Sequence, residues 1–137
     1  MQDCIFCKIV NGQMPCEKIY EDENILAFMD ISPANKGHAL IIPKEHYETI
    51  LELPQDLMEK VAAGTKKVAE GVVKASGVEG FNVLVNNKKV AGQLVPHVHF
   101  HVIPRFEDDG IDMTFTHKKY GDGEIGEYAQ KIKEKLA

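Results

Sequence analysis

Three histidines, His97, His99 and His101, fall at alternate positions of the run His97-Val98-His99-Phe100-His101-Val102-Ile103. The residues between them are β-branched or aromatic, so the run is predicted to be a strand over 98–104. Alternate side chains of a strand face opposite ways, which puts three imidazoles on one face and Val98, Phe100 and Val102 on the other. Imidazole titrates near neutrality and serves as nucleophile, proton carrier or metal ligand. Three in register point to chemistry at that face, because each buried imidazole without a partner would cost stability.

A second constellation is Cys4-Ile5-Phe6-Cys7. A Cys-x-x-Cys pair is redox-active where a strand leads into an exposed helix start, but only three residues precede Cys4. It is also half of a zinc site, for which His46 and His97 are the candidate remaining ligands, or simply a pair of buried thiols. Cys16 has no partner at metal spacing and reads as a packing residue; His117 reads as solvated. Other polar residues sit at element ends. Asp30 caps a turn or accepts from hydroxyl groups. Asn86 is a turn residue or an amide ligand, and His38 is a polar strand start.

The elements that must position these groups follow from periodicity. Residues 24–30 read as a strand ended by the turn signal Ser32-Pro33-Ala34-Asn35, with 18–22 as its hairpin partner. A third strand covers 38–43. Pro54 opens a helix whose apolar positions Leu57, Val61, Val68 and Val72 recur at helical spacing until Gly77. Residues 81–86 form a fourth strand, 87–96 a loop and 98–104 the fifth strand. A last helix over about 123–136 carries Ile125, Tyr128, Ile132 and Leu136 on one stripe. Hairpin-length gaps with one long inserted helix predict an α+β domain built on an antiparallel sheet.

The 137 residues suit one domain, 1–137. The net charge of −5 supplies no field for nucleic acid or a membrane surface, so an anionic ligand must be held by local donors. The start, Met1-Gln2-Asp3-Cys4, shows neither a basic nor an apolar leader region, and no apolar run is long enough to span a bilayer. Three cysteines without an export signal suit a reducing cytoplasm.

The histidine run resembles the signature of the histidine triad (HIT) family, His-φ-His-φ-His-φ-φ with φ apolar. Phe28 to Pro33, Lys36-Gly37-His38, Ile42-Pro43-Lys44-Glu45-His46, Asn86 and Ala91-Gly92-Gln93 are similar to family blocks in family order. The resemblance covers roughly residues 4–105 and implies a HIT-like fold: a five-stranded antiparallel sheet, one long helix and shorter terminal helices. It implies a homodimer that binds a purine nucleotide and acts at its α-phosphate through a nucleotidyl-histidine. In that reading His99 is the nucleophile, with His101 and His38 as its catalytic neighbours. Asp30 takes the ribose hydroxyls, and Ile31 walls the base together with Ile5, Phe6, Ile9 and Phe28. Asn86 and the backbone of Gly92, Gln93 and Leu94 meet the phosphate. Many members carry Ser or Thr where this chain has Leu94, whose side chain offers the leaving group no hydroxyl.

Members with the Cys-x-x-Cys pair look like zinc-binding relatives, which implies a structural Zn²⁺ on Cys4, Cys7, His46 and His97. One branch of the family cleaves nucleoside phosphoramidates and another dinucleoside polyphosphates. Ile103-Pro104-Arg105 looks like the second, while length and block spacing suit the first and the bacterial-type members. Two other readings stand beside these. One is a metallohydrolase with a metal shared by His97 and His99. The other is a non-catalytic nucleotide-binding scaffold dimer.

Overall fold

The computed structural model describes residues 3–136; the readings that touch Met1, Gln2 and Ala137 lie outside them. Five strands, β1 (Lys18–Glu21), β2 (Ile25–Met29), β3 (Ala39–Pro43), β4 (Gly80–Val85) and β5 (Phe100–Arg105), form one sheet in the order β1-β2-β3-β5-β4. Every neighbouring pair is antiparallel. Among the described residues three α-helices, α1 (Ile5–Val10), α2 (Gln55–Ser76) and α3 (Glu124–Leu136), and two short 3₁₀ turns, Ile50–Glu52 and Lys89–Ala91, accompany the sheet.

Local chemistry sets the joints. The β1–β2 hairpin closes on Asp22, whose Oδ1 accepts the N–H groups of Asn24 (2.8 Å) and Ile25 (2.9 Å). The long helix α2 ends at Gly77, whose φ of +68° is the left-handed conformation that glycine adopts freely.

The two sheet faces are buried differently. Ile25, Ala27, Ala39, Ile41, Phe100 and Val102 point towards α2 and pack on Leu57, Val61, Val68 and Val72. Gly64 lets α2 approach closely, since a Cβ there would fall on Ile25 Cδ1. The intervening residues Leu26, Phe28, Leu40 and Ile42 point the other way and form a smaller core with Cys4 and Phe6. That second face, only partly covered by α1, carries the histidines.

The predicted strand over 98–104 is shorter and later than expected, because pairing begins at Phe100. The preceding chain is extended but turned aside: Val98 N–H bonds Tyr47 O at 2.8 Å. The alternation survives this, since Val98 joins the α2 core while His97 and His99 stay on the opposite face. The helix α1 was implied only as a terminal helix; Cys4 caps it, its Sγ accepting Cys7 N–H at 3.4 Å. The expected apolar stripe of α3 does form, but none of its residues is buried within the chain.

Candidate active site and cysteine–histidine corner

His99 and His101 face a cavity of about 410 Å³. Its apolar wall comes from Ile5, Phe6 and Ile9 of α1 with Phe28 and Leu40 of the sheet; its polar rim is Asp30, Asn86, His99 and His101. Ile31, Gly92 and Leu94 also line it, and so does Cys16, expected only as a packing residue. Leu94 is 91 % exposed at the mouth.

Hydrogen-bond partners fix the tautomers. His99 Nδ1 lies 2.8 Å from His97 O, and a carbonyl only accepts, so Nδ1 carries the proton and Nε2 the lone pair. His38 Nδ1 accepts Ala34 N–H at 3.0 Å, so His38 carries its proton on Nε2. That nitrogen donates to His101 Nδ1 at 2.9 Å, which leaves His101 with Nε2–H as a donor. Burial keeps these imidazoles neutral. It pushes His101 down to about 4, with His99 and His38 adding to the effect, and it lowers His38 and His99 despite the Asp30 carboxylate.

Asp30 lies on the triad face, Oδ2 3.6 Å from His38 Nε2, with Oδ1 accepting Ser32 N–H at 2.8 Å. Asp30, His38 and His101 bring their polar atoms within 4.8 Å of one another. Because His38 Nε2 donates to His101 Nδ1, the trio is not a ligand set; the two imidazoles are hydrogen-bonded and the Asp30 carboxylate is their electrostatic neighbour.

The loop expected to meet a phosphate departs from its reading. Gly92 N–H is bonded to Lys89 O (3.0 Å) and Gln93 N–H to Lys88 O (3.2 Å), so neither is free. Leu94 N–H has no partner among the hydrogen bonds of the described residues. Gln93 is buried away from the cavity, its Nε2 donating to Glu48 O (2.6 Å) and its Oε1 accepting Lys88 N–H (2.7 Å). It staples the loop to the segment after β3. Asn86 Nδ2 reaches Gly92 O at 3.5 Å.

Cys4, Cys7, His46 and His97 meet at a separate corner. Their ligand atoms all lie within 4.8 Å of one another. Cys4 Sγ is 3.4 Å and Cys7 Sγ 3.5 Å from His97 Nδ1, and Cys7 Sγ is 3.4 Å from His46 Nδ1. The S–N edge of a tetrahedron with Zn–S and Zn–N bonds is about 3.5 Å. His97 Nε2 donates to Pro43 O at 2.8 Å, turning the Nδ1 lone pair towards the thiols. The reading in which His97 and His99 share one metal is thereby overturned: His97 offers its lone pair to this corner and His99 to the cavity.

The family model of the HIT domain matches residues 11–108, most of the chain. The chain belongs to the HIT family. This HIT protein is 50% identical over 130 residues to an uncharacterized HIT-like protein of Methanocaldococcus jannaschii, covering 95% of this chain and 98% of that one. It is 43% identical over 134 residues to the adenosine 5'-monophosphoramidase of Schizosaccharomyces pombe, covering 97% of this chain and 98% of that one. Its fold superposes on the crystal structure of a HIT family member from Bacillus subtilis with a TM-score of 0.93 at 38% identity, covering 98% of each chain. No helix among the described residues of this HIT protein is long and apolar enough to cross a membrane.

Proposed function

We propose that this protein is a nucleotide hydrolase that cleaves a purine nucleoside phosphoramidate at its α-phosphorus, with His99 as nucleophile. The observation that carries the reading is the free Nε2 lone pair of His99 at the cavity, set by its 2.8 Å bond to His97 O. The name of the yeast relative supports the substrate class.

In the first step His99 Nε2 attacks phosphorus. The P–N bond breaks with its electron pair going to nitrogen, which takes a proton from solvent and leaves as amine. His101 Nε2–H donates to a non-bridging oxygen as charge builds there. Water then attacks the nucleotidyl-histidine and gives a proton to solvent. The P–Nε2 bond breaks with its pair returning to His99, releasing nucleoside monophosphate. Asp30 accepts from the ribose hydroxyls, and Phe6 and Phe28 flank the base.

The deciding experiment is a panel of adenosine 5'-phosphoramidate and diadenosine polyphosphates, read by release of adenosine monophosphate. Phosphoramidate turnover is expected, with loss of roughly 10⁴-fold or more in His99→Ala while nucleotide binding persists. Wild-type turnover in His99→Ala refutes the nucleophile. Binding without turnover in the wild type leaves a nucleotide-binding scaffold.

The same reading gives the corner a structural Zn²⁺ held by Cys4, Cys7, His46 and His97. It sets the protein in the cytoplasm, where its thiols stay reduced. It also makes the working unit a symmetric homodimer. Edge strand β4 exposes Phe81 and Val83, which with Ala62, Ala69 and Val73 of α2 line an apolar groove of about 530 Å³. A two-fold contact covers this groove and the open strand edge together. Analytical ultracentrifugation at micromolar concentration checks it, and a monomer refutes it.

A further inference from the structure

We propose that Asn35 and Asp109 are positioning residues for the catalytic histidines, acting through the turn that delivers Ala34 N–H to His38. The proposal rests on the role given above to His101 Nε2–H.

Among the described residues, no side chain of the turn between Asp30 and His38 is hydrogen-bonded to His101. What it contributes is one backbone group, Ala34 N–H, 3.0 Å from His38 Nδ1. This donor forces the His38 proton onto Nε2, and through the 2.9 Å bond to His101 Nδ1 it forces the His101 proton onto the nitrogen that faces the cavity. Without it, His38 is free to carry its proton on Nδ1 and accept at Nε2. His101 would then place its own proton on Nδ1 and present a lone pair to an anionic phosphate.

The turn is held from outside the site. Asn35 Nδ2 donates to Pro104 O (2.9 Å) and to Asp109 Oδ2 (3.0 Å), and Asn35 O accepts His38 N–H (3.1 Å). Asp109 is itself fixed: Arg105 donates to both its oxygens, at 2.8 and 3.1 Å, and it accepts the N–H groups of Phe106 and Ile111. Its side chain is only 6 % exposed. Gly37 completes the fit; at a φ of +101° it lies so close to the end of β5 that a Cβ would sit 3.1 Å from Pro104 Cγ. One end of β5 thus anchors the turn that sets the tautomer of His101, a residue on the same strand. A carboxylate with five donors and an amide with two make a rigid frame, and hydrogen bonds behind a reacting imidazole set which nitrogen carries its proton.

Histidine ¹⁵N–¹H correlation spectra of the uniformly labelled protein report each ring's tautomer and need no substrate. In the wild type His38 and His101 are expected as Nε2–H tautomers. In Asn35→Ala both rings should show averaged nitrogen shifts, with kcat on adenosine 5'-phosphoramidate down roughly 10- to 100-fold and KM within about threefold. Asn35→Ser, which keeps one donor, should recover part of both. Should Asn35→Ala fail to fold, Asn35→Ser and Asp109→Asn carry the comparison. Wild-type His38 and His101 shifts in a folded Asn35 variant overturn the proposal, whatever its melting temperature. A wild type that turns over no phosphoramidate refutes the catalytic reading, while the spectra still decide the clamp.

Discussion

The carbonyl of His97 and the Nδ1 of His99 meet at 2.8 Å, while the His97 ring turns its own Nδ1 to Cys4 and Cys7. One residue therefore gives its side chain to the corner and its backbone to the cavity. The corner cannot shift without shifting the group that orients His99.

That link predicts the effect of metal removal. Extracting the Zn²⁺ proposed for this corner, or replacing Cys7 with Ser, should lower the unfolding free energy by several kcal/mol, because folding and metal binding draw on the same geometry. Calorimetry with and without chelator, alongside elemental analysis, checks it. Protein that contains no zinc when purified without chelator, or that melts identically after chelation, contradicts the expectation.

Acid should weaken the fold through the buried histidines. Burial, with His99 and His38 adding to it, holds His101 at about 4 against an ordinary 6.5. The unfolded chain therefore takes up this proton first. Its contribution is fully present above about pH 6.5 and is lost as pH falls towards about 4. Urea midpoints at pH 7.5 and 5.0 should differ more in the wild type than in His101→Gln.

Gln93 should matter for stability. Its amide serves Glu48 O and Lys88 N–H. Lys88 sits at φ 75°, ψ 157°, a conformation nearly reserved for glycine. Gln93→Ala leaves two backbone groups without partners and should cost about 1–3 kcal/mol. Lys88→Gly should be tolerated. Chemical denaturation of the two variants measures both; a neutral Gln93→Ala counts against the staple.

Gly64→Ala should be costly although alanine is the better helix former. The added methyl collides with Ile25 Cδ1, and overpacking of this kind costs about 1–3 kcal/mol. Ile25→Val removes that carbon, so the double variant should suffer less from Gly64→Ala than the wild-type background does. A double-mutant cycle by thermal denaturation reads the coupling.

The strands and long helices could be read from the chain because side-chain periodicity writes them out: α2 and α3 differ from the predicted spans only at their ends. His97, His99 and His101 carried their own signal through alternation. What escaped the sequence was chosen by tertiary contact. Pairing starts at Phe100 because Val98 N–H is taken by Tyr47 O. Gln93 turns inward because its amide pairs with Glu48 O and Lys88 N–H, partners that no sequence pattern announces. Ala34 acts through a backbone N–H, which no side chain advertises. Cys16 and the Arg105–Asp109 pair acquire their surroundings from segments distant in sequence.

Every residue of α3 is exposed in the single chain, and the matched HIT span stops at Asp108. The core beneath the sheet therefore owes nothing to residues 124–136. Substitutions at Ile125, Tyr128 or Ile132 escape the packing constraint that governs Ile41 or Val102. Within the single chain the stripe of α3 answers to solvent and to whatever it touches, not to the core beneath the sheet.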